Sequence, residues 1–265
     1  MKSLPRSLFI SHGGGPLPLL GDPEHREMVA CLQNIAAAIP RPEAIVVFSA
    51  HWEEGLPTIT AASNPSLIYD YYGFPPESYD IQYPCVGSPA LAQEIFSRLE
   101  NSGIDARLDE SRGFDHGLFV PLKIMYPEAD IPCVQVSLVN SLDPLRHIEI
   151  GRALEGLHRQ NILVVGSGFS FHNLKAFFNS GGGESQQLNE TFENWLQEVC
   201  SGTGYSEEER SALLCRWEEA PGARFCHPRE EHLLPLHVCF GIAQSHARER
   251  FDITILNRQS SMYLW

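Results

Sequence analysis

The chain has 265 residues, 43% hydrophobic and 20% charged, a balance that suits one large buried core and excludes disordered, collagen-like and repeat-array proteins. Nineteen Lys and Arg against 33 Asp and Glu leave a net charge of −14, which argues against nucleic acid or an anionic membrane as partner, since both attract clustered basic residues. No run nears the roughly 20 apolar residues that a bilayer demands, and only Leu8-Phe9-Ile10 follows the opening Met-Lys-Ser-Leu-Pro-Arg, so the expectation is a soluble, cytoplasmic protein.

In chain order, Ser7-Leu8-Phe9-Ile10-Ser11 predicts a strand, residues 24–39 a helix with apolar side chains at helical spacing that stops at Pro40-Arg41-Pro42, and Ala44-Ile45-Val46-Val47-Phe48-Ser49-Ala50 a second strand. Together they form a β-α-β unit, and the unbroken apolar runs suit strands covered on both faces. Further strands are expected at 58–62, 105–108, 133–138, 162–165 and 253–256, and helices at 89–100, 144–159, 188–200, 207–218 and 231–244. Gly, Pro and aromatic residues mark loops at 67–89 and 179–186. The alternation predicts an α/β fold: one domain over 1–265, a mostly parallel sheet between helices, and a ligand site at the carboxyl ends of the strands.

Seven scattered cysteines with no Cys-x-x-Cys pair predict free thiols in a reducing compartment. Histidine is the informative residue type, with 11 copies. The first strand runs into His12, the second into His51, and the strand at 162–165 into a Gly-rich turn closing with His172. Three imidazoles at one sheet edge suit a metal or an acid/base site. His116 stands in a tight glycine-flanked loop, Gly113-Phe114-Asp115-His116-Gly117, where Asp115 could orient a neighbouring imidazole; His232 opens a predicted helix beside Glu230 and Glu231. A lone strand-end histidine is more often a cap than a ligand, so the shared position carries the argument. His25, His147, His158, His227, His237 and His246 read as packing or surface residues.

Other motifs weaken on inspection. His12-Gly13-Gly14-Gly15 looks like an esterase oxyanion loop, but the chain has no Gly-x-Ser-x-Gly elbow. Gly166-Ser167-Gly168 lacks the third glycine of a dinucleotide fingerprint and the Lys-Ser/Thr of a phosphate loop, and reads as a tight turn. The run Tyr69-Asp70-Tyr71-Tyr72-Gly73-Phe74-Pro75 suits either a packed loop or the wall of an aromatic pocket.

Several of these segments together resemble the class III extradiol ring-cleavage dioxygenases, in particular the 4,5-DOPA dioxygenase branch. The resemblance spans nearly the whole chain. It is carried by His12-Gly13 with Pro16, Ser49-Ala50-His51-Trp52, Gly73-Phe74-Pro75, Tyr83-Pro84 with Gly87-Ser88-Pro89-Ala90, Gly113-Phe114-Asp115-His116-Gly117, Met125-Tyr126-Pro127, His172-Asn173-Leu174 and Glu231-His232 with Leu234-Pro235. An extra glycine before Pro16 and Tyr71-Tyr72 in place of a common Phe-Gly depart from the pattern and bear on substrate choice.

The resemblance implies a mononuclear non-haem Fe(II) site, with zinc able to occupy it on isolation. Its metal positions match His12, His51 and His232, with His172 either a ligand or a nearby acid/base. Many non-haem oxygenases use two histidines and a carboxylate; here the third position is histidine, and Glu231 or water is left to complete the shell. His116 and His172 are the expected proton carriers, and Trp52, Tyr72, Phe74 and Asp115 the expected substrate contacts. The implied partners are a small aromatic diol and dioxygen, with a homo-oligomer left open. Two other readings stand beside this one: a zinc-dependent amidase or peptidase, and a non-catalytic binding protein on the same scaffold.

Overall fold

A computed structural model describes residues 3–178 and 182–265. The first strand, β1 (Leu8–Ser11), leads through α1 (Arg26–Ala38) to β2 (Ala44–Glu54), as the apolar patterns predict. Then follow β3 (Thr58–Thr60), α2 (Pro89–Asn101), β4 (Arg107–Asp109), α3 (His116–Met125), β5 (Cys133–Val139), α4 (Pro144–Ala153) and β6 (Ile162–Gly168). The C-terminal third holds α5 (Leu174–Phe178), α6 (Gly183–Ser201), α7 (Glu207–Cys215), α8 (Ala223–Cys226), α9 (Leu234–Ala243), β7 (Glu249–Ile255) and β8 (Arg258–Leu264).

The strands form one sheet in the order β4-β3-β5-β2-β6-β1-β8-β7. Its centre, β5-β2-β6-β1, is parallel, and antiparallel pairs join β3 to β5, β8 to β1 and β7 to β8. The β-α-β expectation holds with one refinement: β6 inserts between β1 and β2, so α1 crosses over a strand. Alternation along β2 sends Ile45 and Val47 to one face, into a core with Met28, Leu32, Leu118 and Leu122, and Val46 and Phe48 to the other, with Leu91, Ile95, Leu99 and Ile150. Both faces are covered, which is why these strands read as unbroken apolar runs.

The structure corrects several expected elements. His116 opens α3 rather than sitting in a loop. Nine of the ten residues of α3 are buried, the exception being Lys123, so the helix shows no polar face by which periodicity would reveal it. Gly166-Ser167-Gly168 is the end of β6, not a turn. The second strand of the C-terminal hairpin, β8, was not anticipated; Leu256 and Asn257 make its turn with positive φ. Helix α4 ends at Ala153, six residues early, and Gly156 follows at φ 87°, while α7 ends at Cys215 rather than 218. Of the loop expected at 179–186, residues 179–181 lie outside the described residues, and the remainder includes the first turn of α6. Among the described residues no helix is long and apolar enough to cross a membrane.

Candidate metal centre

The parallel centre of the sheet ends in register, Ser11 beside Gly168 and Ser49 beside Ser167. His12 follows β1 directly and His51 lies near the end of β2, so both imidazoles come out at one edge. His232 arrives from the turn before α9. Pro235 in the first turn of α9 suits a helix start at Leu234, which leaves Glu231 and His232 outside the helix rather than within it. That turn docks on the end of β6 through the Phe169 N–H, which donates to the His232 carbonyl at 2.9 Å. Gly168 permits the approach, because a Cβ there would collide with the same carbonyl.

The rings of His12, His51 and His232 lie 4.7, 5.2 and 5.0 Å apart, pair by pair. His116 closes another side, 3.9 Å from the His51 ring and 5.4 Å from His12. Two adjoining donor groups result. Ligand nitrogens of His12, His51 and His116 lie within 4.8 Å of one another, as do donor atoms of His172, Glu231 and His232. His172 stacks on His232 at 3.4 Å. All five histidines singled out from the sequence therefore meet at this edge.

Hydrogen bonds decide which nitrogen each ring offers. Pro121 has no N–H to give the Gly117 carbonyl one turn back in α3, and the Ser167 hydroxyl donates to that carbonyl instead. With its proton committed, Ser167 Oγ accepts from His12 Nδ1 at 3.0 Å. The Nε2 lone pair of His12 is thereby left free, and it faces His51 Nε2 at 3.0 Å, a contact between two nitrogens that only a proton or a cation between them makes favourable. Glu231 Oε1 takes the Nδ1 protons of His232 at 2.9 Å and His172 at 3.2 Å, and Asp70 Oδ1 takes that of His116 at 2.7 Å. Carboxylate or hydroxyl partners on Nδ1 with Nε2 left bare are the arrangement that orients imidazole ligands.

Charge follows the same logic. Burial, followed by the neighbouring imidazoles, holds His12 and His51 well below the ordinary histidine value, and burial with His172 brings His232 down to about 3. These shifts favour the neutral rings, the form in which imidazole can bind a metal. Burial alone would raise Glu231, yet the hydrogen bonds from His172 and His232 outweigh it and hold this carboxyl well below its usual range. Asp70 is lowered likewise, the bond from His116 overcoming burial. Arg229 ties the outer rim, bonding both Glu53 and Glu231.

The carboxylate beside His116 is Asp70, to which the sequence pattern gives no role. Asp115 is fully buried, and its oxygens are engaged by Ser49 Oγ at 2.8 Å, Arg112 at 3.1 Å and Gln135. Trp52 is buried with Arg112 stacked 4.3 Å above its ring. Phe74 packs edge-on to Tyr71 at 5.5 Å, and Tyr71 in turn lies 5.6 Å from the His116 ring. Tyr72 is 92% exposed. Ser167 and Asp70 were the residues missed; an acid between tyrosines was the available signal for Asp70, and for Ser167 there was none.

Residues 7–259 match the family model described as the catalytic LigB subunit of aromatic ring-opening dioxygenase. The chain belongs to this family. It is 42% identical over 264 residues to "Dioxygenase tasH" of Hapsidospora irregularis, covering 92% of this chain and 80% of that protein. It is 36% identical to "4,5-DOPA dioxygenase extradiol" of Escherichia coli (89% and 84% covered) and 34% identical to the protein of that name from Beta vulgaris (93% and 90%). A crystal structure of an uncharacterized Escherichia coli K12 protein superposes with a TM-score of 0.77 at 30% identity, over 97% of this chain and 98% of that one. The family's dioxygenases depend on a metal, and the histidine group described above has the donor chemistry to hold one, since three neutral imidazoles suit iron or zinc.

Proposed function

We propose that residues 1–265 act as one catalytic domain that opens a catechol ring beside its two hydroxyls, at a single Fe(II) held by His12, His51 and His232. The observation that carries this is the convergence of neutral imidazoles whose Nδ1 atoms on His12 and His232 are already committed to Ser167 and Glu231. When bound, Fe(II) would bring diol and dioxygen together and make the diol more acidic.

The protein supplies the rest. Tyr71 and Phe74 give an aromatic wall on the His116 side of the site, against which a substrate ring would pack. His116 faces that wall with Nδ1 fixed by Asp70, so its Nε2 takes up a proton and returns it as the ring opens, the Asp70 carboxylate stabilising the imidazolium. His172, held by Glu231 and stacked on His232, is placed to take the first hydroxyl proton. This places His116 outside the ligand set although its nitrogen lies close to those of His12 and His51. The 4,5-DOPA named for several relatives is the first substrate to try, and its opened product would cyclise to betalamic acid. The seven free thiols suit a reducing, cytoplasmic setting.

Anaerobic reconstitution with Fe(II), followed by a catechol panel in an oxygen electrode, tests the reading. One dioxygen consumed per ring, a yellow semialdehyde and both labelled oxygen atoms in the product are expected, apart from aldehyde exchange with water. Colourless muconate would mean cleavage between the hydroxyls. Absence of oxygen uptake together with zinc-dependent amide hydrolysis would transfer the protein to the hydrolase reading.

A further inference from the structure

Next to the histidines lies a cavity of about 580 Å³ whose wall includes His172, Glu231, Leu174, Lys175, Phe225 and Pro228, a volume in the range of small-molecule sites. The lining is chiefly apolar. Its two cations differ: Arg229 is held by Glu53 and Glu231, whereas Lys175 has no hydrogen-bond or ion-pair partner among the described residues. Lysine is scarce in this chain, with three copies, and Lys123 bonds the Gln82 carbonyl.

The backbone under Lys175 is pinned. Asn173 donates to the Phe225 carbonyl at 2.7 Å and accepts from the Ala176 N–H at 3.1 Å, and Arg258 donates to the Ala176 carbonyl at 2.7 Å. An ammonium on a fixed base, at a cavity that shares His172 with the metal-facing cluster, suits an anion on the tail of a molecule whose ring reaches the histidines. With a net charge of −14 the protein as a whole repels an anion, so a local cation is what would admit one.

We propose that Lys175 is a specificity-determining residue that selects catechols bearing a carboxylate on their side chain, the ring among the edge histidines and the tail reaching past His172 to the ammonium. This rests on the ring-cleavage reading above.

The test has two arms, each run on wild type, K175M, K175E and K175R. In the first, Fe(II)-loaded enzyme turns over 3,4-dihydroxyphenylpropionate, 4-methylcatechol and dopamine. The kcat/KM ratio of the acid over 4-methylcatechol is expected to fall by about tenfold in K175M, mainly through KM, a loss between that of an exposed ion pair and a charge-assisted hydrogen bond. K175E should move the preference toward dopamine, K175R should restore the acid, and about 0.5 M salt should narrow the wild-type preference. In the second arm, 3-phenylpropionate, which has no diol, is titrated into metal-free protein by calorimetry, and its Kd should weaken about tenfold in K175M. Ring opening with the same acid preference and the same Kd in wild type and K175M would overturn the proposal and leave the ring-cleavage reading standing. Lys175-dependent binding of 3-phenylpropionate without opening of any catechol would keep the anion site and remove the ring-cleavage reading.

Discussion

Two sets of buried histidines invite comparison. His12, His116 and His232 at the carboxyl edge of the sheet are 1–4% exposed, and His25, His147 and His237 elsewhere are fully buried. Burial depresses His232 to about 3 and His147 to about 4, so a lowered pKa does not distinguish the groups. Use of the second ring nitrogen does. His147 sets Nδ1 on the Asp143 carbonyl at 2.7 Å and accepts the Val139 N–H on Nε2 at 3.1 Å. His25 spends its nitrogens on Asp22 and the Gly14 N–H, and His237 turns both toward backbone carbonyls. At the sheet edge, Nδ1 of His12, His116 and His232 is held by a hydroxyl or carboxylate, and His12 Nε2 faces His51 Nε2. Half-satisfaction alone does not mark the set, since buried His227 bonds the Ser170 carbonyl through Nε2 and leaves Nδ1 without a partner; the edge histidines are also gathered ring to ring.

The largest effect that separates the sets is loss of metal. His12→Ala, His51→Ala and His232→Ala are each expected to lose the bound ion by elemental analysis and to drop ring opening to background. His147→Gln should keep the ion and lose about 1–3 kcal/mol of stability in urea unfolding, the cost of leaving a buried donor or acceptor unpaired. Full occupancy in any of the three alanine variants would remove that residue from the ligand set, and metal loss in His147→Gln would dissolve the distinction.

Within the edge set, His116 should behave differently from its neighbours. His116→Ala is expected to retain Fe(II) while turnover falls by roughly 10²–10⁴-fold, the range for a lost general acid or base. Metal loss in this variant would make His116 the third ligand, and near-normal turnover would reduce it to a packing partner of Asp70 and Tyr71.

The smallest effect concerns the hydroxyl that selects the His12 tautomer. Ser167→Ala leaves Nδ1 without its acceptor and should weaken metal affinity by about 10–100-fold, as removal of such outer partners does. Nitrogen NMR on the metal-free variant should show His12 as a mixture of tautomers, where the wild type has the Nδ1–H form. An unchanged tautomer with unchanged affinity would show that neighbouring rings, not Ser167, orient His12.

Much of the fold could be read along the chain because local pattern and burial agree there. The apolar runs of β1, β2, β5 and β6 announce strands covered on both faces, and His12 and His51 stand at or near the ends of two of them. Helix α3 was hidden because it is buried nearly all round and carries Gly117 and Pro121, both poor helix formers. A Cβ at 117 would collide with Ser49 Oγ, which is bonded to Asp115. Helix α9 was expected three residues too early since Glu231 and His232 read equally well as a first helical turn.

The amino-acid sequence by itself determined which residue types could do chemistry and which strands would carry them to one edge, because strand direction and side-chain alternation are local properties of the chain. Only the tertiary structure decided what each imidazole presents. Asp70 reaches His116 across 46 positions and Ser167 reaches His12 across 155, in each case through elements packed from distant parts of the chain. A tautomer depends on the neighbour that takes the ring proton, and that neighbour is assigned by packing, which no local pattern records.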